Sequence, residues 1–510
     1  MNSLFRSSQR PIVPGRPRPV TTSAAPAEGA QSTPHPDVTG TAIAIVCLML
    51  TGLLLTGNKP SSVAQFGAIG VAVAMGASVL SDCRFGWRNL VRADLLALTS
   101  LYFLSLFEFL FPQRGYDVIA SSPATHQAVE ACLWGFGGML IGRHLVSLRT
   151  PKTLVALSRP VPYGWIVLIF WGALFLGFGY MVVTVKFNVV EMVRQFMGPR
   201  FSQPWGRGQL GDWRAILYEF SMLILLVPPV AGVIVARRSS YPILHVIAVG
   251  IGLLFTLFYG FSSGTRNLFI SYLITFFIGF AFAARPNQKK EVMVLLLVCI
   301  GLVLMSTSMM LRFREVGLGE YFAGRAPPAD PNESAMHVDY NLITIGQLTQ
   351  VFPAQHEYLG WEVPYLAIIR PIPRALWSGK PEGMSVSMET VMGAEGFTVA
   401  ATFIGEAYMS GGLPAVFLAA LIFGALTGWW NCLGSTSKSE LGILVYASGF
   451  LAAVLSMRSL LVFTTVILPT IASIVIGSFV AAHVARQARR LLARLRPQRL
   501  AAPGKSILRR

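Results

Sequence analysis

Long apolar runs dominate this chain, and short polar connections separate them. Twelve windows are apolar over the ~20 residues that a membrane-spanning helix needs. They are 40–56, 63–80, 95–111, 127–145, 164–184, 215–236, 242–260, 267–284, 291–310, 411–431, 441–457 and 460–484. The pattern predicts an all-α fold: a polytopic membrane protein of about 12 transmembrane helices, with one large loop before the last three. The expected order is a disordered tail (1–37), helices one to nine (38–310), the loop (311–410), helices ten to twelve (411–484) and a basic tail (485–510).

Composition agrees with that class. Of 510 residues, 54% are hydrophobic and 13% charged, with a mean hydropathy of +0.59. A soluble domain carries about 25% charged residues. The net charge of +18 raises the question of nucleic acid. Its distribution answers no. With the N-terminus inside, 26 of the 41 Lys and Arg fall in the tails and inner turns. That is the positive-inside pattern, with both termini cytoplasmic. The five cysteines, Cys47, Cys83, Cys132, Cys299 and Cys432, show no CxxC or Cys/His spacing. Neither a disulfide framework nor a zinc site is expected.

Several connections break the bland pattern. Residues 1–37 are rich in Pro, Ser, Thr, Ala and Arg, and they lack the apolar core of a signal peptide. Residues 185–214 are expected outside, yet Lys186, Arg194, Arg200, Arg207 and Arg214 outnumber Glu191 and Asp212. An anionic ligand would explain a basic outer loop; tolerance during translocation would also. The run GFSSGTRNLFISYL, 260–273, opens a span. Ser262, Ser263 or Thr265 could cap it, and Arg266 falls in its first turn. An arginine is unfavourable against the positive end of the helix dipole, so a bound anion would account for it, as would an interfacial arginine paired with a nearby carboxylate.

The loop 311–410 is acidic up to residue 400, with six Lys or Arg against ten Asp or Glu. It carries Arg312, Arg314 and His337, and a helix is expected around 339–351. Its cations concentrate in VPYLAIIRPIPRALWSGKPEG, 363–383, where Arg370, Arg374 and Lys380 alternate with Pro371, Pro373 and Pro381. Proline stiffens the backbone, and arginine forks suit phosphate oxygens. The segment reads as a phosphate clamp or as an interfacial loop on lipid headgroups. Glu406 then stands among apolar residues before Gly411, Gly412 and Pro414, which mark a break. An ionisable group at membrane depth is a functional candidate, or a partner for one of the arginines. Arg458 joins the last two spans. Glu108, Glu130 and Glu219 read as structural.

These pieces together resemble the Wzy-type O-antigen and exopolysaccharide polymerases, the oligosaccharide repeat unit polymerases. PIPRALWSGKP is similar to the IPR…W…KP segment of that family's large external loop. SGTRNLFISYL is similar to its glycine–arginine start of a middle span. GEAYMSGGLPAVF and MRSLL are similar to its Glu and Arg elements near the C-terminus. The resemblance covers 260–465, while the first 200 residues agree only in hydropathy. It implies a glycosyltransferase of the cell inner membrane, without metal or cofactor, that joins repeat units carried on polyprenyl diphosphate. The related O-antigen ligases, and a flippase or transporter, are the alternatives. Arg266, Arg370, Arg374, Lys380 and Arg458 are then the diphosphate-binding candidates, with Arg312 and Arg314 in reserve. Glu406 is the leading proton acceptor, ahead of His337, His356 and Glu382. A chain-length regulator, a flippase and membrane lipid are the implied partners.

Overall fold

The computed structural model describes residues 34–500 except 114, 147–153, 155–156, 201, 206–213, 326–339, 373–375, 378, 382, 387–400 and 437–438. Among the described residues the chain is helical throughout, with no strand. The bundle helices are α1 (Val38–Leu53), α2 (Pro60–Asp82), α3 (Ala93–Ser105), α4 (Ser122–Gly142) and α5 (Tyr163–Thr184). A short α6 (Val189–Phe196) follows, then α7 (Val227–Ala236), which continues a run from Arg214–Glu219 through the 3-10 turn Phe220–Leu226. The chain goes on through α8 (Ile243–Ser262), α9 (Arg266–Ala283) and α10 (Lys289–Phe313). Two loop helices, α11 (Asn341–Val351) and α12 (Glu362–Ile369), precede α13 (Thr402–Cys432), α14 (Glu440–Leu455) and α15 (Leu468–Leu500).

Eight helical stretches among the described residues are long and apolar enough to cross a membrane. This is the build of a multi-pass membrane protein. The other four expected windows fall on α1, α3 and α14, which have 16, 13 and 16 residues, and on the more polar α4. Three boundaries shift. Helix α13 begins at Thr402, inside the stretch expected as loop, because Gly411 and Gly412 break the helix without ending it. Helix α15 runs on to Leu500, because the expected tail is rich in Ala, Leu and Arg, all good helix formers. Residues 34–37 belong to the bundle, not the tail. His35 N–H donates to Asn89 Oδ1 at 2.8 Å, and Asp37 N–H donates to Asp82 Oδ1 at 2.8 Å.

Small residues let the central helices touch. A Cβ on Gly138 would lie 2.6 Å from the Phe417 carbonyl oxygen, and one on Gly142 would lie 2.1 Å from that of Leu421. From the other side, a Cβ on Gly424 or Gly428 would clash with the Met139 or Arg143 carbonyl oxygen. Helices α4 and α13 are therefore in backbone contact, as glycine seams allow in lipid, where van der Waals packing drives association. Gly232 of α7 and Gly279 of α9 make a second such seam.

At the end of the bundle away from the 311–401 loop, a buried polar network joins five helices, α1 to α4 and α13. Arg92 Nη2 donates to Asp82 Oδ2 at 2.7 Å, and its Nε donates to Asp94 Oδ1 at 3.0 Å. Arg143 Nη2 donates to Ser78 Oγ at 2.9 Å and to the Thr41 hydroxyl. Asn431 accepts from the Ala93 N–H at 2.8 Å and donates to Asp94. Charges this deep need such partners. The sequence shows Arg92 and Arg143 only as positive-inside markers, because Asp82, the partner of Arg92, and Asp94, the partner of Arg143, lie 10 and 49 positions away.

Candidate functional site

The loop end of the bundle is built around the first nine residues of α13. Gly411 (φ 174°, ψ 33°) and Gly412 (φ 70°, ψ −155°) interrupt the helix, so 402–410 forms a separate, largely buried half-helix. Gly412 needs its positive φ, and a Cβ there would lie 2.7 Å from the Tyr358 hydroxyl. Loop helix α11 covers the half-helix. A Cβ on Gly405 would meet Leu348 at 2.8 Å, and Gly346 of α11 lies against the Ala124 carbonyl of α4. The loop segment thus docks on the spans through its own glycines and apolar side chains.

Glu406, 5% exposed, points out of this half-helix onto the turn between α14 and α15. Its Oε1 accepts from Ser459 Oγ at 2.7 Å, and its Oε2 accepts from the Leu461 N–H at 2.8 Å. Ser459 is the N-cap of the 3-10 turn Leu460–Val462. The carboxylate therefore satisfies donors that a helical N-terminus leaves open. This anchors the backbone one residue after Arg458.

Helix α12 packs on the same turn. Val363, Leu366, Ala367 and Ile369 bury against Leu461, and the Thr464 hydroxyl donates to the Ala367 carbonyl. Arg370 terminates α12, and its charge acts on Glu406. Lys380 folds back so that Nζ donates to the carbonyls of Arg370 and Ile372, at 2.8 and 2.9 Å. A lysine at a helix C-terminus is favourable against the dipole. Lys380 thereby holds the 370–380 turn together. Glu362, at the other end of α12, accepts from Ser385 Oγ at 2.6 Å and closes the turn into a compact unit.

A second group of cations gathers from other connections. Arg266 is the first residue of α9 and is 9% exposed. Thr265 holds the N-cap position, but its side chain makes no capping bond; Ser263 Oγ instead accepts from the Thr265 N–H at 3.2 Å. Gly264 (φ 64°) sits against Arg314, whose Cβ would lie 2.8 Å from a Cβ there. Arg314 O accepts from the Arg200 N–H at 3.1 Å. The 185–214 connection is docked beside the start of the loop, where Gly319 N–H donates to Met197 O at 3.0 Å. Arg200 joins Arg266 and Arg314 through this backbone pairing, which no local sequence signal announces. Arg312 is exposed. Helices α9 and α14 run antiparallel, with Phe282 against Tyr446 at the far end, 4.8 Å between ring centroids. Arg266 and Arg458 therefore share the loop end. Arg374, His337 and Glu382 lie outside the described residues. His356 is exposed and packs on Phe352.

Beside these groups lies a cavity of about 800 Å³, between α3, α9 and α10. Leu95, Phe103, Ile274, Phe277, Leu296 and Val303 line it. It runs from Trp87 and Lys289 at the far end to Phe107 and Asn267 at the loop end, next to Arg266. Its wall is almost wholly apolar. A groove of that length can hold a hydrocarbon chain. Among the described residues no cluster of His, Cys, Asp and Glu is placed to hold a metal.

A domain family of unknown function, DUF8712, matches residues 343–442. The match starts within α11 and takes in α12, Arg370, Lys380, Glu406 and the whole of α13. No curated protein and no solved structure matches the chain.

Proposed function

We propose that this protein is a polysaccharide polymerase of the inner membrane that joins polyprenyl-diphosphate-linked repeat units at the external face. The observation that carries the reading is the gathering of Arg200, Arg266, Arg314, Arg370 and Arg458 from separate connections at one end of the bundle, beside an apolar groove. In this reading the chain crosses twelve times, both termini are cytoplasmic, and the loop end is external. The basic residues divide 26 inside to 15 outside.

A diphosphate leaving group gains negative charge as the anomeric C–O bond breaks. Arginines already placed at that spot stabilise the transition state without reorganising. The acceptor hydroxyl attacks the anomeric carbon, polyprenyl diphosphate departs with the bonding electrons, and a base takes the hydroxyl proton. Arg266, Arg370, Arg374 and Arg458 bind the diphosphate. Lys380 shapes the turn that presents Arg370. Glu406 acts as a positioning residue, since both of its oxygens already accept from the 459–461 turn. Proton transfer then falls to His356, His337 or Glu382.

A deletion strain tests the class. Glycan gels should show single repeats on the lipid acceptor and no ladder. Full-length polymer retained on the carrier lipid would mean a ligase, and repeats facing the cytoplasm would mean a flippase. Either result would overturn the polymerase reading. Purified protein given a lipid-linked repeat should lengthen it unaided.

A further inference from the structure

Helix α12 is apolar on both faces. One face buries Val363, Leu366, Ala367 and Ile369. On the other, Trp361 at the N-cap stands one turn before Tyr365 and Ile368; Ile372 and Leu376 follow beyond the helix end at Ile369. These side chains are 85, 47, 68, 39 and 81% exposed. A helix that is hydrophobic all round is stable only when buried in protein or in lipid. Protein covers one side here.

The surroundings say what covers the other. Helix α12 lies against α13 and against the 460–466 run that leads into α15. Both are stretches fit to cross a membrane. Each carries its own exposed apolar row: Leu418, Ile422 and Leu426 on α13, and Ile471, Val475 and Phe479 on α15. The stripe on α12 thus sits on a helix packed against both of these stretches. Trp and Tyr, amphipathic rings suited to the headgroup level, head it. Arg370 and Lys380 follow at its C-terminal end, where lipid phosphates would meet them.

We propose that α12 is an interfacial helix seated in the lipid leaflet at the loop end, with Trp361, Tyr365, Ile368, Ile372 and Leu376 in contact with acyl chains and headgroups. The seat fixes the height of the 370–380 turn relative to the phosphate layer. A substrate phosphate anchored in the same leaflet would then arrive level with Arg370. The lipid contact depends on the membrane build of the chain and not on the polymerase reading.

The test uses full-length protein in liposomes, with the five native cysteines replaced and unfolding checked against the native chain. The single-cysteine variants Tyr365→Cys and Ile368→Cys carry an environment-sensitive fluorophore; Gln355→Cys, exposed between α11 and α12, is the reference. Labels at 365 and 368 should emit to the blue, be quenched by acyl-chain-brominated lipid and resist aqueous iodide. The label at 355 should show the reverse. Iodide quenching at 365 and 368 equal to that at 355 would overturn the proposal. So would a disulfide crosslink between two copies of the unlabelled Ile368→Cys variant, which would mean that a second chain covers the stripe. Two independent positions guard against one variant failing to fold, and no arm depends on glycan synthesis.

Discussion

Glu406 offers the sharpest test of how the loop end is held. Glu406→Gln keeps size and one acceptor oxygen, but it replaces the other with an NH₂ donor. Both oxygens now accept, from Ser459 Oγ and from the Leu461 N–H. One charge-assisted bond is lost, worth ~1.5–3 kcal/mol, and a buried N–H facing a donor costs ~1–3 kcal/mol more. Glu406→Gln should therefore lower the unfolding midpoint of the detergent-solubilised protein and open 456–464 to protease. Ser459→Ala removes only one of the two bonds and should do less. In a double-mutant cycle the pair should couple by ~0.5–3 kcal/mol. Glu406→Asp, which keeps the charge but draws it back by one methylene, should recover part of the stability. A proton acceptor would behave otherwise: Glu406→Gln would abolish turnover at unchanged stability and unchanged protease resistance. That outcome, or zero coupling with Ser459, would refute the positioning role.

Arg266→Ala should cut polymer yield on gels by roughly tenfold to a hundredfold or more at normal expression, and Arg266→Lys should restore only part of it, because lysine lacks the fork. Arg489→Ala, on the exposed far end of α15, serves as the silent control. Asp94→Ala leaves the buried Arg92 and Arg143 short of a counter-charge; breaking a buried pair costs ~3–5 kcal/mol, so unfolding in denaturant should show a severe loss, or expression should fail.

Much of the fold is legible in the sequence because hydrocarbon solvent imposes one rule. Backbone groups must be satisfied within the helix, so apolar length alone marks α5, α8 and α10. Short helices such as α3 escape that rule, because a 13-residue segment can be completed by the 3-10 turn Phe107–Leu110. The Gly411–Gly412 break was legible, since two glycines before a proline rarely continue a helix. The role of Glu406 was not. Its partners lie 53 and 55 positions away, and one is a backbone N–H that no side-chain pattern reveals. Arg200 is placed by a backbone bond to Arg314, which is equally silent in sequence. Lys380 looked like a free cation because nothing in PIPRALWSGKP shows that the chain turns back on its own carbonyls.

The glycine seam between α4 and α13 has a mechanical consequence. Carbonyl oxygens fill the places where side chains would stand, so the two helices have no room to slide and no lubricating layer between them. They form one stiff post. Glu406 stands on the half-helix above that post, across the Gly411–Gly412 break. Any movement at the loop end is then left to elements outside the seam, such as α12 and the 459–466 turn. The Glu406 carboxylate is the tie between the half-helix and that turn, so loosening it would free the turn from its support.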